Sequence, residues 1–139
     1  MAASATVELI TRYYEAFNAK DWQGMLDCLS DSVVHDVNQG SRREGKAAFR
    51  EFLGNMDRCY EEKLEGIVVL TNATGDRAAA EFNVVGKYLV AEEGLPPAHG
   101  QTYRLPGGTF FAVADGRITR VTTYYNLTDW LTQVVTEDA

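Results

Sequence analysis

Residues 29–40 read LSDSVVHDVNQG. Ser30-Asp31-Ser32 has turn chemistry, and Val33 to Asn38 has the makeup of a strand. Side chains alternate across a strand, so Val33, His35 and Val37 share one face while Val34, Asp36 and Asn38 share the other. The face carrying Val33 and Val37 is the more apolar, so alternation by itself turns Asp36 toward solvent. What precedes and follows this strand decides what it faces.

Two amphipathic helices precede it. Ile10, Tyr13, Tyr14 and Phe17 recur at i, i+3, i+4, i+7, with Ser4 or Thr6 as a cap. Trp22, Met25, Leu26 and Leu29 repeat the spacing behind a cap at Asp21. A third helix follows from about Lys46 to Asp57, with Phe49, Phe52, Leu53 and Met56 as its stripe. The second half is strand-rich. Leu64–Thr74 turns at Gly75-Asp76 into Arg77–Val90, where Ala78, Ala80, Phe82, Val84, Gly86 and Tyr88 share a face. Gln101–Ala114 follows a polar loop and is interrupted by Pro106-Gly107-Gly108, which implies an edge or a bulge. Asp115-Gly116 turns into Arg117–Asn126, and Leu127, Trp130, Leu131 and Val134 form a short tail helix capped by Thr128 or Asp129. Helices first and a strand meander second argue an α+β fold, with helices on one face of a curved, mostly antiparallel sheet that encloses a pocket.

The chain has 139 residues, 45% hydrophobic and 24% charged, with a formal net charge of −7. That suits one domain over residues 1–139 with a substantial core. The negative charge and scattered Lys and Arg argue against nucleic acid as a partner. No apolar run is long enough to span a membrane, and no secretory leader is evident at the start. Cys28 and Cys59 are far apart without metal spacing, which reads as two reduced thiols in a cytoplasmic protein. With His35 and His99 also apart, neither a metal site nor a cofactor site is expected.

The helix ending in Asn18-Ala19-Lys20-Asp21, the LSDSVVHDV strand, the Gly45-Lys46-Ala47-Ala48-Phe49 helix start, and a meander closing on Asp115-Gly116-Arg117-Ile118 and Tyr124-Tyr125 resemble a known superfamily. It is that of nuclear-transport-factor-2-like cone-shaped α+β barrels, in the branch of ketosteroid isomerase-related and SnoaL-like polyketide cyclase proteins. The resemblance implies three N-terminal helices on a strongly curved mixed sheet and a cofactor-free acid/base enzyme, an isomerase or cyclase, acting on a small apolar carbonyl compound. Carried over by position, Asp36 becomes the general base pointing into the pocket, where desolvation raises carboxylate basicity. Tyr13 becomes the donor to the enolate oxygen. Phe82, Val84, Val121 and Tyr125 become lining residues, and Asn38, on Asp36's face, orients substrate or closes a turn. Two positions depart from the steroid isomerases: the second oxyanion donor falls at or beside Gly108, and the tyrosine supporting the first falls near Leu53. The resemblance also implies a homodimer through the outer face of the sheet. The same fold hosts proteins without chemistry, so a small-molecule binding or assembly module is the alternative.

Other readings remain open at this stage. Tyr14 exchanges roles with Tyr13 if the helix is rotated. Strand geometry separates His35 from Asp36 and makes His35 a structural residue. Asp57 and Tyr60 either line the mouth or end the third helix. Gly107-Gly108 leaves room for a ligand, offers backbone N–H groups, or bends the strand.

Overall fold

A computed structural model describes residues 2–37 and 40–135. Its elements run α1 (Ala2–Asn18), α2 (Trp22–Asp27), β1 (Leu29–Val37), β2 (Arg42–Glu44), α3 (Lys46–Cys59), β3 (Tyr60–Thr71), β4 (Arg77–Tyr88), β5 (Gln101–Ala114), β6 (Arg117–Tyr125) and α4 (Leu127–Val134). The strands form one mixed sheet in the order β2-β1-β6-β5-β4-β3, antiparallel except where β1 runs parallel to β6. The sheet is open. It ends at β2 on one side and β3 on the other, and the helices pack on one face, which is the expected α+β architecture without closure into a barrel.

Each helix buries part of the stripe read from its spacing, with Phe17, Trp22, Phe52 and Met56 half-buried and Leu29 in β1 rather than on α2. Leu9, Ile10, Tyr13 and Tyr14 are buried on α1, Met25 and Leu26 on α2, and Phe49 and Leu53 on α3. Asp21 caps α2 by accepting from the Gly24 N–H at 2.9 Å. The expected cap on α1 does not form. The helix starts at Ala2, and the Thr6 hydroxyl, inside it and buried, donates instead to the Gly75 carbonyl at 2.6 Å. Asn126 rather than Thr128 or Asp129 caps α4, accepting from the Asp129 N–H.

β3 begins directly at Tyr60, four residues before its expected start, so the chain passes from α3 into the strand with no loop. As an edge strand it leaves backbone groups unpaired, and the Asn18 amide takes up both of those on Leu64, at 2.9 and 3.0 Å. Pro106 sits within β5, beyond the last β5–β6 pair at Gly107 and Tyr125. β5 is therefore locally an edge where its missing N–H would lie. Next to it, the Gln133 side chain of α4 bonds both backbone groups of Arg104. The aromatics Tyr88, Tyr103 and Trp130 form a second cluster at this end, and the main core lies under α1 to α3.

Candidate active site

The helices and the concave sheet face enclose a cavity of about 220 Å³ with a mostly aromatic and aliphatic wall. Typical ligand pockets hold roughly 300–1,000 Å³, so this one suits a small compound.

β1 decides which of its side chains reach that cavity. Val33 and His35 are buried, Val37 lines the cavity with His35, and Asp36 is on the opposite face. This is the orientation that alternation alone favours, and it corrects the inward Asp36 drawn from the resemblance. The physical reason is local. Asp36 pairs in register with Arg42 on one side and Thr122 on the other. The Arg42 guanidinium forks onto its carboxylate at 2.7 and 3.0 Å, and the Thr122 hydroxyl donates at 2.8 Å. Arg42 above all, with Thr122, holds the Asp36 carboxyl below the usual carboxylate range, where the expectation was a raised value.

Tyr13, Phe82, Val84 and Tyr125 line the cavity. Val121 does not. It is buried in the row between His35 and Phe111 and belongs to the core. Asn38 lies outside the described residues. Tyr13 packs edge-on against Tyr14 and Phe111, and burial pushes its hydroxyl well above the ordinary tyrosine value. Tyr14 lines the same wall, and burial raises its hydroxyl above the ordinary tyrosine value as well.

The acidic groups that do face the cavity are Glu62 and Glu92. Glu62, Gly86 and Tyr103 stand directly opposite one another on β3, β4 and β5. Gly86 has no side chain in the space that the phenol of Tyr103 fills: a Cβ there would lie 2.4 Å from the ring. The ring crosses the glycine and its hydroxyl donates to the Glu62 carboxylate. The Trp130 ring packs edge-on against the Tyr103 ring, with centroids 5.9 Å apart. Burial outweighs the hydroxyl's help and raises Glu62 to about 6. On β5, Gly107 makes room in the same way, since a Cβ there would lie 2.9 Å from the Phe82 ring opposite it. Glu92, on the loop after β4, accepts from the Tyr60 hydroxyl at 2.8 Å and from the Asn55 amide. Tyr60 thus lines the wall and starts β3, while Asp57 is not among the lining residues.

Glu62, Tyr103 and Glu92 do not stand out in the sequence as site residues. The available signal is period-two alternation. With Leu64 inward, Glu62 and Tyr60 are inward too, once the strand is carried back to Tyr60.

No metal-competent group of His, Cys, Asp and Glu occurs among the described residues, and no helix there is long and apolar enough to cross a membrane. The open mixed sheet, helices on its concave face and an apolar cavity closed by α4 make up the nuclear-transport-factor-2-like fold. The chain belongs to the family of the SnoaL-like domain, whose model matches residues 10–121. A "putative polyketide cyclase" from Pseudomonas putida KT2440 is 56% identical, with a TM-score of 0.93 over 94% of this chain and 98% of that one. A second of that description, from Xanthomonas campestris pv. campestris, is 52% identical at a TM-score of 0.93, over 96% and 98% of the two chains. At 20% identity, a SnoaL-like protein from Jannaschia sp. CCS1 shares the fold at a TM-score of 0.81, over 98% and 95% of the two chains. No curated protein matches the chain.

Proposed function

We propose that the protein is a cofactor-free acid/base enzyme, an isomerase or cyclase, that removes a proton from carbon beside a carbonyl in a small, mostly apolar compound. One observation carries this reading: an apolar cavity holds a carboxylate, Glu62, raised to about 6 and hydrogen-bonded by Tyr103. A base poised near neutrality is ionised at pH 7 yet strong enough to take a proton. The base role first assigned to Asp36 passes to Glu62, because Asp36 is weakened and held on the other face by Arg42.

The step conserves atoms and charge. A Glu62 oxygen takes the proton as the C–H bond breaks, and that electron pair forms the enolate. Tyr13, on the cavity wall and kept protonated by burial, donates to the enolate oxygen. Protonated Glu62 then returns the proton to another carbon, which is isomerisation. Alternatively, it protonates the alkoxide made when the enolate carbon attacks an internal carbonyl, which is cyclisation.

The names of the solved relatives, two of them "putative polyketide cyclase", support this class of chemistry. The outer sheet face exposes Val68, Leu70, Phe110 and Tyr124, with Phe110 and Tyr124 packed edge-on, which supports a homodimer through that face. Cys28 and Cys59, both buried and unbridged, fit a cytoplasmic setting.

The test is deuterium exchange. Wild-type protein is incubated in D2O with a panel of small cyclic enones and β-dicarbonyl compounds, and label at the α-carbon is read by mass spectrometry. Glu62→Gln should slow exchange by about 10²–10⁴-fold, and Asp36→Asn should leave it intact. Exchange unaffected by Glu62→Gln removes Glu62 as the base. A compound that binds in the cavity and is released unlabelled favours a binding module.

A further inference from the structure

The sheet brings a second polar group to the cavity from the opposite side. His35 is on β1 and Glu62 on β3, with β6, β5 and β4 between them, and both line the cavity. His35 is 3% exposed. Its ring packs against Phe49 and Phe52, at centroid distances of 4.4 and 4.5 Å. Its Nδ1 is buried with no hydrogen-bond partner among the described residues. Buried polar atoms are almost always paired, and His35 lines the cavity, so its orphan nitrogen points to a partner beyond the described residues. Burial first, then the charge of Arg43, lowers the imidazole to about 4, so the ring is neutral at pH 7. A neutral imidazole offers one donor and one acceptor, and the two phenylalanines packed on it restrict its plane.

We propose that His35 is a ligand-binding residue whose Nδ1 pairs with an oxygen of the bound compound, at the wall facing the Glu62–Tyr103 pair. The ligand class sharpens accordingly: a small, flat, mostly apolar molecule with two oxygen functions, one beside the carbon that reacts at Glu62 and one held by His35. This inference rests on the acid/base reading for which end reacts, but not for the His35 contact itself. A protonated Nδ1 takes a carbonyl oxygen, and an unprotonated one takes a hydroxyl.

Two probes of similar shape test it: 4-hydroxybenzaldehyde, with an oxygen at each end, and p-xylene, with none. Binding is measured by calorimetry, and the His35 ring nitrogens are followed by ¹⁵N NMR in wild-type protein. Wild type should prefer 4-hydroxybenzaldehyde, and its Nδ1 resonance should move with that probe and not with p-xylene. The direction of movement shows which tautomer is bound. His35→Phe should lower the preference about tenfold, the usual worth of one buried hydrogen bond. Glu62→Gln, which disables the proposed base, should leave the Nδ1 response in place, so failure of the two readings is distinguishable. The proposal is overturned if Nδ1 does not respond, if His35→Phe keeps the full preference, or if wild type binds neither probe. Should His35→Phe fail to fold, the wild-type resonance decides alone.

Discussion

The hydroxyl of Tyr103 reaches the carboxylate of Glu62 by lying across Gly86, the residue between them in the cross-strand row. The pair joins two strands that are not neighbours, and only a residue without a side chain leaves the path open. Gly86→Ala puts a Cβ where the phenol now lies. The variant should fold with a lowered Tm and lose at least tenfold in exchange rate, because Tyr103 must swing away from Glu62. Adding Tyr103→Phe should cost little more, since the two changes break one contact. A double-mutant cycle on rate reads the coupling.

The pH dependence of that contact follows from its sign. Glu62, held at about 6 in the folded chain, is a base above that pH. Activity should rise through pH 6 and level off by neutrality. Tyr103→Phe removes the hydrogen bond that partly offsets burial, so the midpoint should move to higher pH. Stability runs the other way. The folded state holds the proton more tightly than the unfolded one, so stability declines as pH rises from the ordinary glutamate value through 6. Glu62→Gln should therefore match or exceed wild-type Tm at pH 8 and lose that advantage near pH 4. Thermal melts at the two pH values check it.

Asp36 should behave in the opposite manner. Its carboxylate is a structural anion that ties β1 to β2 through Arg42 and to β6 through Thr122. Asp36→Asn should lower Tm by a few degrees at pH 7, the scale of a partly exposed ion pair. The folded value is depressed, so this contribution is present above the ordinary aspartate range and lost as pH falls through the folded value. The variant's deficit should vanish in acid, with exchange activity kept throughout. Comparing Asp36→Asn and Glu62→Gln in one set of melts and rates separates a strand clamp from a base.

Trp130 closes the cavity from α4. It is 5% exposed and packs edge-on against Tyr60, Tyr88 and Tyr103 at 6.2, 5.0 and 5.9 Å. Trp130→Ala should cost about 3–5 kcal/mol, in the range of large aromatic truncations in cores. It should also weaken 4-hydroxybenzaldehyde binding, since one wall of the cavity and the packing that holds Tyr103 go with it. Chemical denaturation and calorimetry measure the two effects.

Local patterns carry their information in neighbouring residues, and these were legible. The i, i+3, i+4, i+7 stripes place Tyr13 and Tyr14 on the buried face of α1 and Phe49 on that of α3. Period-two alternation puts Ala78, Ala80, Phe82, Gly86 and Tyr88 on the buried face of β4. The same rule, applied strictly, sends His35 inward and Asp36 outward. The resemblance reversed that assignment because it matches a carboxylate by position along the chain, while orientation depends on what flanks the strand. Arg42 and Thr122, which hold Asp36 outside, are six and 86 residues away in sequence.

Sequence alone thus determined the helices, the long strands, their buried faces and the helices-then-meander order, but not β2 or the starts of β1 and β3, because burial of apolar side chains at fixed periods depends only on local spacing. Tertiary structure alone decided which carboxylate the cavity contains. Glu62 acquires its raised value from burial, which outweighs the hydrogen bond from a tyrosine 41 residues later that crosses a glycine on the strand between them. Desolvation and hydrogen bonding act through space, and no pattern in Tyr60–Thr71 by itself records what folds over it.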